Sequence, residues 1–148
     1  MVRRNKQPKR AFDPRPQRLP AVPAAQDWGR QPPTWSFSAF DFEGPWGCRP
    51  VDGSALERIL RKLRDFESMT WAEMQQGKHP PAKQIPVQHL CARAQARLAA
   101  IGHDDFDVLR ELHVAGLPRL WGIRILATFN LLWIDLDHDV CPSHLRHT

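Results

Sequence analysis

Tyrosine is absent from the 148 residues, cysteine is held to three, and no apolar run approaches the ~18 residues of a membrane span. Without tyrosine, chemistry that relies on a phenol as general acid or base is excluded. Cys48, Cys91 and Cys141 are widely spaced and odd in number, which argues against a disulfide framework and for a reducing cytoplasm. No apolar stretch follows the basic N-terminus, so no secretory signal is expected. Nothing follows the pattern of a phosphate loop, a dinucleotide fingerprint or a Ser-His-Asp triad, which sets aside common metabolic chemistry.

What is present divides the chain in two. Residues 1–33 hold eight Lys/Arg against two acids, a net +6, while the other 115 residues balance to −1. The basic character therefore belongs to the first segment and not to the body. That segment also carries seven prolines and almost no large apolar residue before Trp28. It cannot bury enough surface to offset its ordering entropy, so a disordered leader over 1–33 is expected. Six tryptophans and a composition with 42% hydrophobic residues fit a globular domain over 34–148.

Within that domain, Trp35, Phe37, Phe40 and Phe42 read as a bulged strand or two extended pieces. Ser54 with Glu57 forms a capping-box pattern, and Leu56, Ile59, Leu60, Leu63 and Phe66 follow as one apolar stripe of a helix. Thr70 with Glu73 forms a second box before a short helix that stops at Gly77. Pro86 suits the first turn of a third helix, with Val87, Leu90, Cys91, Ala94, Leu98 and Ile101 on its apolar face and Gly102 at its end. Cys91 on that face reads as a small core residue rather than a nucleophile. Segments 108–114, 120–126 and 129–135 read as strands. Ala127-Thr128 links the last two, and Val140-Cys141 is placed to start an edge strand. The order predicts an α+β domain in which consecutive strands pair antiparallel and helices cover one face.

That order, together with Thr70-Trp71-Ala72-Glu73, Arg119-Leu120-Trp121-Gly122-Ile123-Arg124, the Leu131-Leu132-Trp133-x-Asp135-x-x-His138-x-Val140-x-Pro142 block and the final His147-Thr148, resembles the RelE/ParE toxin superfamily of bacterial toxin–antitoxin systems. The closer likeness is to ParE-like toxins of actinobacteria and their prophages. The resemblance implies a small antiparallel sheet packed against a helical hairpin, no cofactor, a cognate antitoxin as partner, and one of two activities. RelE-like members cleave RNA on the ribosome without a metal. ParE-like members inhibit DNA gyrase and are not enzymes. The Ala127-Thr128 link and the basic leader depart from the family pattern.

A RelE-like cleavage requires a base for the 2′-hydroxyl, cations for the developing phosphorane and an acid for the leaving oxygen. The candidates are Arg119, Arg124, His138, His144 and His147, although Arg119 and Arg124, five apart on an unbulged strand, point to opposite faces unless Gly122 marks a bulge. Candidate nucleic-acid contacts are Arg3, Arg4, Lys6, Lys9 and Arg10 in the leader, Arg58, Arg61 and Lys62 on the first helix, and Arg146. His138, Cys141, His144 and His147 offer four zinc-type ligands at three-residue intervals, but Pro142 interrupts them and all four fall within ten residues, so no metal is expected. Trp121 and Trp133 read as a cross-strand core contact before a base-stacking platform. The alternative to a toxin is a non-enzymatic nucleic-acid-binding accessory protein that uses the basic leader.

Overall fold

Helix starts follow the side chains that can satisfy orphan amides of a first turn. In the computed structural model, which describes residues 15–19 and 28–142, the first helix, α1 (Gly53–Phe66), is capped by Asp52. The Asp52 carboxylate accepts from the Ala55 amide at 2.7 Å. The expected Ser54 box is therefore displaced by the earlier and equally good cap. Thr70 caps α2 (Trp71–Met74) in the expected manner. Its hydroxyl accepts from the Glu73 amide, and the Glu73 carboxylate accepts from the Thr70 amide, both at 3.2 Å.

The third helix starts later than its apolar pattern predicts. Pro86, with φ −59° and ψ 137°, ends a strand, β2 (Ala82–Pro86), and Val87–His89 forms a 3-10 turn before α3 (Ala92–Ala100). A fixed φ serves an edge strand as well as a helix start, and at an edge the missing N–H can face away from the ladder. Gly102 follows α3 at φ +79°, the left-handed conformation anticipated for it.

Five strands form one mixed sheet in the order β1-β5-β4-β3-β2, where β1 is Thr34–Ser36, β3 Val108–His113, β4 Arg119–Ile125 and β5 Thr128–Asp135. From β2 to β5 each strand pairs antiparallel with the next. β1 instead lies parallel to β5, with Trp35 opposite Phe129. The helices between them supply the long crossover that a parallel pair needs. The expected all-antiparallel sheet is corrected at this one edge. Phe40–Phe42 is not a second extended piece. Asp41 N–H bonds to the Leu132 carbonyl at 3.0 Å and holds the segment as a loop on β5. Val140-Cys141 does not form a strand either.

The helices do not share one face of the sheet. Leu112, Leu120, Phe129 and Ile134 pack with Ile59, Leu63 and Phe66 of α1 and Trp71 and Met74 of α2. Leu109, Trp121, Ile123 and Trp133 pack in a separate cluster with Ala94 and Leu98 of α3. Neighbours such as Leu120 and Trp121 point to opposite faces, so the sheet is covered on both sides, and the expected helical hairpin on a single face is corrected. The cause is legible in β5, where all residues from Phe129 to Asp135 are buried, as in strands sandwiched between layers. On α1 the buried line is Ala55, Ile59, Leu63 and Phe66, leaving Leu56 and Leu60 exposed, contrary to the stripe expected.

The β4–β5 hairpin departs from expectation in its turn and in its bulge. Ile125 pairs with Thr128, so the turn is Leu126-Ala127, one residue earlier than expected, with Leu126 at φ +58°. Trp121 faces Trp133 while Gly122 faces Leu131, so the extra residue of the bulge is Leu132 on β5 and the alternation along β4 is intact. A Cβ on Gly122 would lie 2.4 Å from the Asn130 carbonyl oxygen and 2.6 Å from the Phe129 ring, which is why only glycine fits.

Part of the segment expected as leader is seated on the body. Gln17 N–H bonds to the Ser38 carbonyl at 3.0 Å, Arg18 pairs with Asp105 at 3.1 Å, and Leu19 is buried in the α3-side cluster. Burial of Leu19 supplies the apolar anchor that composition alone did not credit to this stretch. No helix among the described residues is long and apolar enough to cross a membrane.

Candidate anion-binding site

Strand parity places Arg110 of β3 on the same face as Leu112, the face that carries α1 and α2. Its cross-strand neighbour is Gly122, and Arg124 stands two residues farther along β4 on the same face. Burial lowers the Arg110 pKa from the usual arginine value, and the like charge of Arg124 lowers it further. It remains a cation at any working pH. Among the described residues no carboxylate or carbonyl holds the Arg110 guanidinium. A half-buried cation beside another cation, with no acidic partner, is a costly arrangement that an anion would relieve.

Arg124 is fixed from two sides. Its guanidinium lies over the Trp71 indole, 4.8 Å from the ring centroid, and its Nε donates to the Leu126 carbonyl at 2.9 Å. Trp71 is fully buried and its indole N–H donates to the Ala127 carbonyl at 2.8 Å. The capped α2 thus aims a tryptophan at the β4–β5 turn, and the turn and the tryptophan together orient Arg124. Gln84, exposed on β2, lies opposite Arg110 and adds an amide at the rim. Two guanidinium groups with an amide at the rim suit a multivalent oxyanion such as phosphate.

Of the residues expected to form a catalytic set, Arg119, Arg124 and His138 are described, and the two arginines are not brought together. Arg119 lies on the α3 face, opposite to Arg124, as β4 alternation requires. Its Nη1 donates to the carbonyls of Gly116, Leu117 and Pro118 at 2.7, 2.9 and 3.1 Å, and its Nε is 3.9 Å from Glu111. It fastens the β3–β4 turn. His138 stands in the turn after β5 at φ +58°, half-buried, and its Nδ1 has no partner among the described residues. His144, Arg146 and His147 lie outside the described residues, as do Arg3, Arg4, Lys6, Lys9 and Arg10. No group of three His, Cys, Asp or Glu among the described residues could hold a metal, and two of the four zinc-type ligands are outside them.

On α1, Arg58 is exposed, Arg61 pairs with Glu57 at 3.2 Å and Lys62 lies over the Phe66 ring at 5.4 Å. Trp121 and Trp133 are both fully buried and face each other across β4 and β5, a core contact rather than a stacking platform. Their indole N–H groups donate to the buried carboxylates of Asp135 and Asp41 at 3.3 and 3.1 Å. Asp135 also accepts from the amides of Asp139 and Val140 at 2.9 Å each, closing the turn after β5.

A cleft of about 610 Å³ lies between residues 15–18 and the end of α3, lined by Arg15, Arg18, Glu43, Arg97 and Ile101. It is less suited to an anion, because Arg18 is committed to Asp105 and Arg97 to Asp41. Arg110 carries no local sequence signal of a site. Its signal lies in register, an arginine paired across the ladder with the one glycine of the neighbouring strand. No family model, no curated protein and no solved structure matches the chain.

Proposed function

We propose that the chain is a non-enzymatic binding module for the phosphates of a nucleic acid, single-stranded RNA in the first instance. The observation that carries this reading is Arg110, half-buried beside Arg124 with no acidic partner among the described residues. The N-terminal excess of positive charge adds a sequence-independent attraction of the same sign. Contacts of this kind position a backbone and carry no base specificity.

The test is fluorescence anisotropy of a labelled RNA oligonucleotide with the full chain and with Arg110→Gln, across a salt series. The variant keeps the fold, since Arg110 makes no internal bond among the described residues. Its affinity falls, and the slope of log affinity against log salt shrinks by about 0.7 for each lost phosphate contact on a single strand. Equal affinity and slope for the two proteins would refute the reading.

A second reading is the toxin component of a type II toxin–antitoxin system, neutralised by a cognate antitoxin and acting on the ribosome's RNA or on DNA gyrase. It is favoured by the sequence of strand, helices and an antiparallel β3-β4-β5 meander with Arg124 on the face that carries α1 and α2. Induced expression in a bacterial host separates the readings. Growth arrest with cut transcripts points to a nuclease, arrest with DNA damage to gyrase, and normal growth leaves the binding module.

A further inference from the structure

We infer that Cys91 and Cys141 form a reversible intramolecular disulfide, a thiol-based modification site distinct from the arginine pair. All three cysteines are thiols in the structure. Cys91 occupies the position that caps α3, and its side chain makes no capping bond. Its amide donates to the Val140 carbonyl at 2.8 Å, one peptide unit before Cys141. From standard bond lengths that link keeps the two α-carbons within roughly 7 Å. The span that a disulfide bridges is about 4.4–6.8 Å between α-carbons. The Cys141 sulfur lies 3.5 Å from the carbonyl of His89, two residues before Cys91, so it is turned toward the segment that carries its partner.

Both thiols are half-buried and pack against the α3-side cluster, which limits their motion without closing them off. Cys48 sits exposed in the loop before α1 and has no such neighbour. Fifty positions of sequence separate Cys91 from Cys141, and the fold has already closed that distance.

The co-reactant is a small-molecule disulfide of the oxidised glutathione class. One protein thiolate attacks it and releases one small thiol. The second protein thiolate then attacks the mixed disulfide and releases the other. One S–S bond forms in the protein as one is consumed. Two electrons and the two thiol protons end on the two small thiols. The bridge pins the stretch that follows β5 to the start of α3 and is undone by reduced glutathione.

The test is intact-mass analysis of the folded full chain after equilibration in glutathione buffers, followed by proteolysis without reductant. The expected product is a monomer lighter by about 2 Da with a single cross-link between the Cys91 and Cys141 peptides. Cys48→Ser leaves that product unchanged. Cys91→Ser and Cys141→Ser each abolish it. In denaturant the preference disappears and bridges to Cys48 arise. The oxidised protein melts several degrees above the reduced one, because the cross-link restricts the unfolded chain. A bridge involving Cys48 in the folded protein, stable mixed adducts on Cys91 and Cys141, covalent dimers, or no mass loss at all would each overturn the inference.

Discussion

Asp41 is a loop carboxylate with no exposure to solvent, and four donors converge on it. Arg97 of α3 reaches it through Nε and Nη2, both at 2.6 Å, while the Trp133 indole and the Gly44 amide donate at 3.1 Å each. The hydrogen bond that Arg97 donates to Asp41 is the largest influence raising the Arg97 pKa. One side chain thus ties the loop after β1 to α3 and to β5. In Asp41→Asn one acceptor oxygen becomes an amide that confronts N–H donors, so the buried indole or a guanidinium nitrogen loses its partner. The cost is roughly 2–4 kcal/mol. Arg97→Met leaves a buried carboxylate with two neutral donors and no counter-charge, at about 3–5 kcal/mol. The two losses overlap, so the double variant should fall short of their sum by about 1–3 kcal/mol. Urea unfolding followed by tryptophan fluorescence measures all three, since Trp133 reports on the same carboxylate. For a domain of this size each kcal/mol is about 3–5 °C in melting temperature, so either single change is plain in a thermal scan. Single variants within about 0.5 kcal/mol of the parent, or strictly additive losses, would refute the claim that this carboxylate organises three elements.

His103 is fully buried, its Nε2 accepts from the Leu19 amide at 3.2 Å, and burial lowers its pKa. The unfolded chain then binds the proton more readily, so His103 contributes stability above the unfolded value of about 6.5 and loses it as pH falls from there through the folded value. Thermal melts from pH 8 to 5 should decline in the parent, and His103→Gln should flatten that part of the decline that belongs to this residue. Leu126→Gly should raise stability by up to about 1 kcal/mol, because a branched side chain at φ +58° is strained and glycine is not; a lower melting temperature would count against it. Gly122→Ala should cost about 1–3 kcal/mol, since the added methyl meets a backbone carbonyl and the Phe129 ring, and unchanged unfolding in urea would show that the hairpin yields more easily than its geometry implies.

The parts of the fold that rest on local chemistry are legible from residues alone. The Thr70–Glu73 box, the left-handed Gly102 and the strands of the last meander each depend on neighbours within a few positions. Where two local signals compete, residues alone do not decide. Asp52 and Ser54 are both good caps, and Pro86 suits a strand end as well as a helix start. The parallel β1–β5 pair is illegible because its partners lie about ninety residues apart and no turn chemistry links them. The two-sided covering of the sheet is written in the unbroken apolar run of β5, yet periodicity alone does not say which helix goes to which face. At the candidate site, Arg124 stands out as a strand cation, whereas Arg110 acquires its meaning only from the register that sets it against Gly122.

The parallel pairing also sets an order of events during synthesis. The strip from Thr34 to Ser36 leaves the ribosome early, but its hydrogen-bonding mate is the last strand among the described residues. Until that mate emerges, Trp35 and the apolar side chains of α1 have no complete surface to land on, and a nascent chain stalled before Thr128 displays them to whatever is near. Closure of the fold therefore waits for β5, as one cooperative event, and chaperone capture of chains truncated before it is the cellular trace that such a pairing leaves.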